Sequence, residues 1–158
     1  MTRAFLALGS NLGDKRSHLE AALAALPRVP GIELRRVAHF YRTAPLGPVA
    51  QDWFLNTVAE IGTSLAPRAL LACCQEIERA LGRVRVERWG PRTVDIDLLW
   101  MDGYTETTPE LTLPHPEAHR RSFVLVPWHE LAPELRLCGR SLEAWLREAD
   151  PLGIEEAS

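Results

Sequence analysis

Asp95 and Asp97 stand two residues apart at the end of Arg88-Trp89-Gly90-Pro91-Arg92-Thr93-Val94-Asp95-Ile96-Asp97-Leu98-Leu99. Val94, Ile96 and Leu98 alternate with the two aspartates, which predicts a strand. Gly90 and Pro91 predict a loop before it. Side chains at i and i+2 of a strand project from one face, so the aspartate Cα atoms sit roughly 6.6 Å apart. Two such carboxylates repel, and burying them unpaired is costly. A divalent cation answers both problems, and an all-oxygen ligand set suits magnesium, which takes one or two carboxylates plus substrate phosphates. The competing reading is a strand edge with two solvated charges and some arginine ion pairs. The adjoining Arg-Trp-Gly-Pro-Arg favours the metal.

Arg79, Arg83, Arg85, Arg88 and Arg92 fall within fourteen residues, opposed beyond the helix only by Glu87. In a chain of net charge -3 and pI near 6.0, that local excess predicts an anion site, with a solvated charged loop as the alternative. Phe54, Asn56 and Val58 share one strand face. Asn56 could hydrogen-bond a flat heterocycle while Phe54 stacks on it, or the segment is an ordinary half-buried strand. His115, between Pro114 and Pro116, has a restricted backbone and so a defined direction.

The elements that must position these groups are legible from periodicity. Ala4 to Leu8 reads as an apolar strand, central in its sheet. The turn Gly9–Asp14 matches neither common phosphate-loop pattern. Asp14 or Ser17 can cap a helix whose face is Leu19, Ala22, Leu23 and Leu26, ending before Pro27. Ile32 to Tyr41 is a second strand, and Phe54 to Ile61 a third. Between them Arg42-Thr43-Ala44-Pro45-Leu46-Gly47-Pro48 is a loop fit to shape a pocket wall. Pro67 opens a second helix with Leu70, Leu71, Cys74, Ile77 and Leu81 as its stripe and Gly82 as its stop. The Asp95/Asp97 strand ends at an Asp102-Gly103 hairpin-type turn. Val124 to Val126 reads as a further apolar strand, Leu142, Trp145 and Leu146 as a closing helix, and residues from about Asp150 as frayed.

Strand, helix, strand, strand, helix, strand is the ferredoxin-like βαββαβ order: an α+β fold with an antiparallel sheet, core helices on one face, and C-terminal strand and helix additions. With 158 residues the chain is expected to form one domain, 1–158. At 46% hydrophobic and 25% charged it has a globular composition. Its acidity argues against a nucleic-acid coat protein. Its start is too short in apolar residues for a signal peptide or membrane span. Cys73, Cys74 and Cys138 have no metal spacing, which predicts reduced thiols and a cytoplasmic location.

At several places in order the chain resembles the 6-hydroxymethyl-7,8-dihydropterin pyrophosphokinases of folate biosynthesis. The matching pieces are residues 7–13, 40–48, 54–56, 75–78 and 82–85, the whole Arg88 to Leu99 motif, Pro114-His115-Pro116, and Arg121-Ser122-Phe123. The resemblance implies two Mg2+ ions on Asp95 and Asp97. It implies a pterin held between Phe54 and Phe123 and read by Asn56, Thr43 and backbone near Pro45 and Leu46, with Asp95 beside it. ATP, the co-substrate, is implied to contact Gln75, Glu78, Arg83, Arg85, Arg92, Leu98, His115 and Arg121. Phe54 stands where relatives carry a tyrosine, and the Arg85–Arg88 loop is about one residue short.

The implied reaction is attack of the pterin hydroxymethyl oxygen on the β-phosphorus of ATP, releasing AMP. Arg83, Arg92 and Asp97 would be its catalytic residues, chiefly through positioning and charge stabilisation. The proton acceptor stays open between Asp97 and a metal-held alkoxide. A nucleotidyltransferase would use the same aspartates but release pyrophosphate. A ferredoxin-like RNA-binding module lacks its aromatic motif here. Small-molecule partners are expected, with no nucleic acid, no membrane, and a monomer favoured over an oligomer.

Overall fold

The computed structural model describes residues 1–44, 52–82, 93–149 and 153–157. β1 (Thr2–Ser10) is followed by α1 (Lys15–Ala25), β2 (Ile32–Val37), β3 (Tyr41–Thr43) and β4 (Phe54–Thr63). Next come α2 (Pro67–Leu81), β5 (Asp95–Met101) and a small hairpin, β6 (Glu106–Thr107) with β7 (Thr112–Leu113). α3 (Ser122–Leu131), a second small hairpin of β8 (Arg136–Leu137) and β9 (Arg140–Ser141), α4 (Leu142–Glu148) and β10 (Ile154–Glu156) complete it. The main sheet runs β10-β3-β4-β1-β5, with β2 also on β4, and the pairs are antiparallel. Taking β2 and β3 together, this is the strand order of the predicted ferredoxin-like core.

β1 reads as a nearly unbroken apolar run because both of its faces are covered. Ala4, Leu6 and Leu8 enter one cluster with Leu19 and Leu23 of α1 and Leu70, Cys74 and Ile77 of α2. Phe5 enters a second with Val124, Leu125 and Trp128 of α3 and Leu142 of α4. The Phe5 ring lies 5.7 Å from that of Trp128. Each large side chain buried so contributes about 1.5–3 kcal/mol. The two core helices therefore lie on one face as expected, and the C-terminal additions cover the other.

Four local expectations are corrected. Val124 to Val126 is helix, not strand, because the apolar positions Val124, Leu125, Trp128 and Leu131 repeat with the helical period. A three-residue apolar run cannot reveal that period. The 32–41 strand is broken: pairing passes from Val37↔Ala59 to Tyr41↔Asn56, which inserts one extra residue and splits it into β2 and β3. Asp102-Gly103 makes a turn, with Gly103 at φ +78, but it does not join two paired strands. The described part of the C-terminal tail is not frayed: Ile154–Glu156 pairs with Thr43–Tyr41. Asp14 caps α1, its Oδ1 accepting from Ser17 N–H at 3.1 Å, and Gly82 caps α2.

Candidate active site

A cleft of about 380 Å³ opens on the α3 face of the sheet, and its floor is a consequence of two small residues on β1. Ala7 and Gly9 share a face and stand opposite Asp97 and Asp95 of β5. Gly9 is also opposite Asn56 of β4. A Cβ on Gly9 would lie 2.6 Å from Asn56 Oδ1, so only glycine leaves that amide in place. Asn56 is buried, and its Nδ2 donates to Thr43 Oγ1 at 2.8 Å. Thr43 in turn pairs with Phe54 across β3–β4. Phe54 and Phe123 both line the cleft, as do Thr43, Asn56, Asp95, Asp97 and Arg121.

α3 supplies the opposite wall. Because residues 122–131 are helical, Phe123 and Val124 reach the cleft from its first turn. Arg121, the N-cap residue, lies with its guanidinium carbon 5.9 Å from the Phe123 ring centroid. That is at the outer limit of a cation–π contact.

The other edge of β5 is fastened from two sides. Glu78 Oε2 accepts the Ile96 N–H at 2.7 Å, tying α2 to the peptide between the two aspartates. The β1–β5 register skips Leu99, and the Leu99 carbonyl accepts the His115 N–H at 2.8 Å. Leu98 carries its side chain into the α1/α2 core, 4% exposed, so only its backbone can meet a ligand. By the two-residue alternation its peptide groups face the same outer edge as those of Ile96. Gln75 is exposed on α2.

His115 is half-buried after a cis Leu113–Pro114 peptide. Its Nδ1 accepts the Glu117 N–H at 3.1 Å, so the neutral ring carries its proton on Nε2. Burial pushes its pKa below the ordinary 6.5; Asp97 opposes this, Arg121 adds to it, and Glu117 opposes it. At neutral pH the ring is thus a neutral donor.

The structure therefore gathers Thr43, Phe54, Asn56, Asp95, Asp97, Arg121 and Phe123 around one cleft. It sets Glu78, Leu98 and His115 along the adjoining strand edge. Pro45, Leu46, Arg83, Arg85, Arg88 and Arg92 lie outside the described residues. The sequence reading missed Ala7 and Gly9 as the cleft floor, although the Ala-Leu-Gly alternation signals it: large residues on the core face, small ones opposite. It also missed the Glu78–Ile96 bond, which no local pattern announces. Cys73, Cys74 and Cys138 are free thiols. Among the described residues no helix is long and apolar enough to cross a membrane.

Residues 5–133 match the model of the 7,8-dihydro-6-hydroxymethylpterin-pyrophosphokinase family. A 2-amino-4-hydroxy-6-hydroxymethyldihydropteridine pyrophosphokinase of Methylorubrum extorquens is 48% identical over 155 residues, 98% of each chain. Its namesake in Pseudomonas aeruginosa is 46% identical over 154 residues, 97% of this chain and 95% of that one. The wild-type Plasmodium falciparum HPPK-DHPS crystal structure with pteroate aligns with TM-score 0.74 at 13% identity, over 93% of this chain and 42% of that longer one. At that identity the likeness concerns the fold. The chain belongs to the 7,8-dihydro-6-hydroxymethylpterin-pyrophosphokinase family. It is accordingly an ATP-dependent pyrophosphokinase of folate biosynthesis.

Proposed function

We propose that this chain transfers a diphosphate from ATP to the hydroxymethyl oxygen of 6-hydroxymethyl-7,8-dihydropterin, in a magnesium-dependent reaction that releases AMP. The observation that carries this is the cleft itself. Phe54, Phe123 and the buried Asn56 amide line one cleft together with two carboxylates two residues apart on a single strand face. An aromatic slot with one oriented amide suits a flat, hydrogen-bonding heterocycle. With Nδ2 already donating to Thr43, Asn56 Oδ1 is the atom left to accept from the pterin edge.

Asp95 and Asp97 fit magnesium. Their donors are oxygen only, and among the described residues no group of three or more His, Cys, Asp or Glu could hold a metal ion. A two-carboxylate site that relies on substrate phosphates for its remaining ligands is what magnesium accepts and zinc does not. Two such ions, when bound, would neutralise the phosphate charge and polarise the oxygens at both ends of the transfer. Asp95 is half-buried beside Gly9 and Asp97 is exposed at the mouth. Asp97 is thus the better placed to meet the hydroxymethyl proton.

The chain's own contribution is orientation. Phe54 and Phe123 fix the pterin plane, while Thr43, Asn56 and backbone near Pro45 and Leu46 fix its edge. ATP lies across the outer edge of β5, its base against the Leu98 peptide and Gln75. Glu78 holds the strand, and His115 Nε2–H and Arg121 face the phosphates. Arg83, Arg85 and Arg92 supply further charge, with Arg83 and Arg92 acting on the moving group. Holding the hydroxymethyl oxygen in line with the β-phosphorus removes most of the entropic barrier. The protein acts as a monomer in the cytoplasm.

The test is the nucleotide product. Incubation with ATP, Mg2+ and the reduced pterin alcohol should yield AMP and the pterin diphosphate in equal amounts. Pyrophosphate in place of AMP would assign a nucleotidyltransferase.

A further inference from the structure

The sheet edge nearest the pterin-side rim is completed by the C-terminal tail. β3 has only three residues, and its last residue, Thr43, lines the cleft together with the following Ala44. On one side it pairs with β4. On the other side β10 runs against it, with Ile154 opposite Thr43 and Glu156 opposite Tyr41. The ladder extends past both ends. Ala44 N–H donates to the Gly153 carbonyl at 3.0 Å, and Ala157 N–H to the Phe40 carbonyl at 2.7 Å. Gly153 sits at φ +82, and a Cβ there would come within 3.2 Å of Ala44 Cβ. The Ala157 carbonyl is itself held by Arg16 at 3.1 Å. β10 lies beyond the residues 5–133 matched to the family.

The two ends of β3 are fastened differently. At Tyr41 the hydroxyl donates to Glu130 Oε1 at 2.7 Å, so α3 holds that end independently of the tail. At Thr43 and Ala44 the strand's fastenings are the Asn56 amide, its β4 partners and β10.

We infer that β10 is a positioning element for the pterin side of the cleft, fixing Thr43 and Ala44 through its backbone ladder. This rests on the proposed pterin assignment of that cleft. The tail acts on Thr43 and Ala44 through main-chain groups, and among the described residues the side chain of Glu156 reaches only towards His39, at 4.0 Å, away from β5.

Glu155→Pro tests this. Ala157 donates towards β3, so by the two-residue alternation Glu155 N–H does too, and proline removes that donor. The variant should raise KM for the pterin alcohol at least fivefold, leave KM for ATP within twofold, and shift Tm by no more than about 4 °C. Glu155→Ala keeps the N–H and should match wild type in both constants. Gly153→Ala, a milder strain on Ala44, should move the pterin KM alone in the same direction. Amide exchange in residues 41–44 should rise in Glu155→Pro while β1 and β5 stay protected. Unchanged exchange in 41–44, an unchanged pterin KM in both Glu155→Pro and Gly153→Ala, or a parallel rise in both constants would overturn the inference. Wild-type protein that forms no pterin diphosphate would sink the substrate assignment instead, and the exchange experiment would still decide whether the tail fixes β3.

Discussion

Replacing Gly9 with alanine puts the proposed pterin floor to a direct test. The new methyl carbon would stand 2.6 Å from Asn56 Oδ1, where ordinary contact begins at 3.4 Å, so the amide must retreat by about 0.8 Å. Asn56 is 8% exposed and has no open space on the β1 side. The retreat pulls Nδ2 off Thr43 Oγ1, a bond of 2.8 Å worth about 0.5–1.5 kcal/mol. An off-rotamer side chain adds about 0.5–1.5 kcal/mol. Against this, alanine restricts the unfolded chain and returns about 0.4–1 kcal/mol. The net loss of stability is about 1 kcal/mol, a fall in Tm of roughly 2–4 °C.

Activity is the sharper readout. A displaced Asn56 loses its hydrogen bond to the pterin edge, so KM for the pterin alcohol should rise about tenfold, a loss of about 1.4 kcal/mol. KM for ATP should stay put, because Leu98, His115 and Glu78 lie on the far side of β5. A double-mutant cycle isolates the cause: once Asn56→Ala has removed the obstructing oxygen, Gly9→Ala should cost almost nothing more. Additive penalties, or a wild-type pterin KM in a folded Gly9→Ala protein, would refute the reasoning.

Asp97→Asn should lower turnover by more than tenfold, over 1.4 kcal/mol of barrier, with an unchanged far-ultraviolet spectrum; more than a tenth of wild-type activity would count against the paired-carboxylate metal site. Glu78→Ala strands the Ile96 N–H at the sheet edge and should cost about 1.5 kcal/mol in denaturant unfolding, whereas Glu78→Gln, which keeps an acceptor, should retain most of it. Burial, reinforced by Glu78, Cys73 and Asp97, pushes the Cys74 thiol up to about 12, so brief alkylation of the native protein at pH 8 should mark exposed Cys138 and spare Cys74 by mass spectrometry. His115 has a depressed folded pKa, so its stability contribution is complete above the ordinary 6.5 and is lost as pH falls below it; metal-free His115→Gln should show a shallower decline of Tm from pH 6.5 downward, and an identical slope would reject that assignment.

Most of the core was legible because its periodicities are long. β4, α1, α2 and β5 each offer enough residues for a period of two or of 3.6 to stand out, and β1 stands out as a continuous apolar run. The paired aspartates were legible for the same reason, since a strand assignment alone puts them on one face. What stayed hidden depended on contacts distant in sequence. The Val124–Val126 run is helix because Trp128 and Leu131 continue its buried stripe against Phe5 and Val58. The tail carries two acidic residues and no alternation, and it becomes a strand only because β3 presents a free edge. The break between β2 and β3 is a one-residue register change, invisible until β4 is laid beside it.

These hidden features share a location, and that is physically reasonable. A continuous strand from Ile32 to Thr43 would keep the register of β2 to its end. The extra residue at 38–40 resets it, so that Tyr41 faces Asn56 and Thr43 faces Phe54. On β5 the register skips Leu99, which leaves its carbonyl to take the His115 N–H. Bulges re-aim side chains beside active sites at the cost of ladder hydrogen bonds. Here one bulge sets the hydrogen-bonding edge of the proposed pterin slot, and the other sets the histidine of the proposed ATP edge. Asp95 and Asp97 lie between them, on the part of β5 whose register with β1 is regular. The carboxylates need exact mutual placement, and they sit where the β1–β5 register is unbroken. The groups that must be turned towards a ligand sit where the sheet departs from regularity.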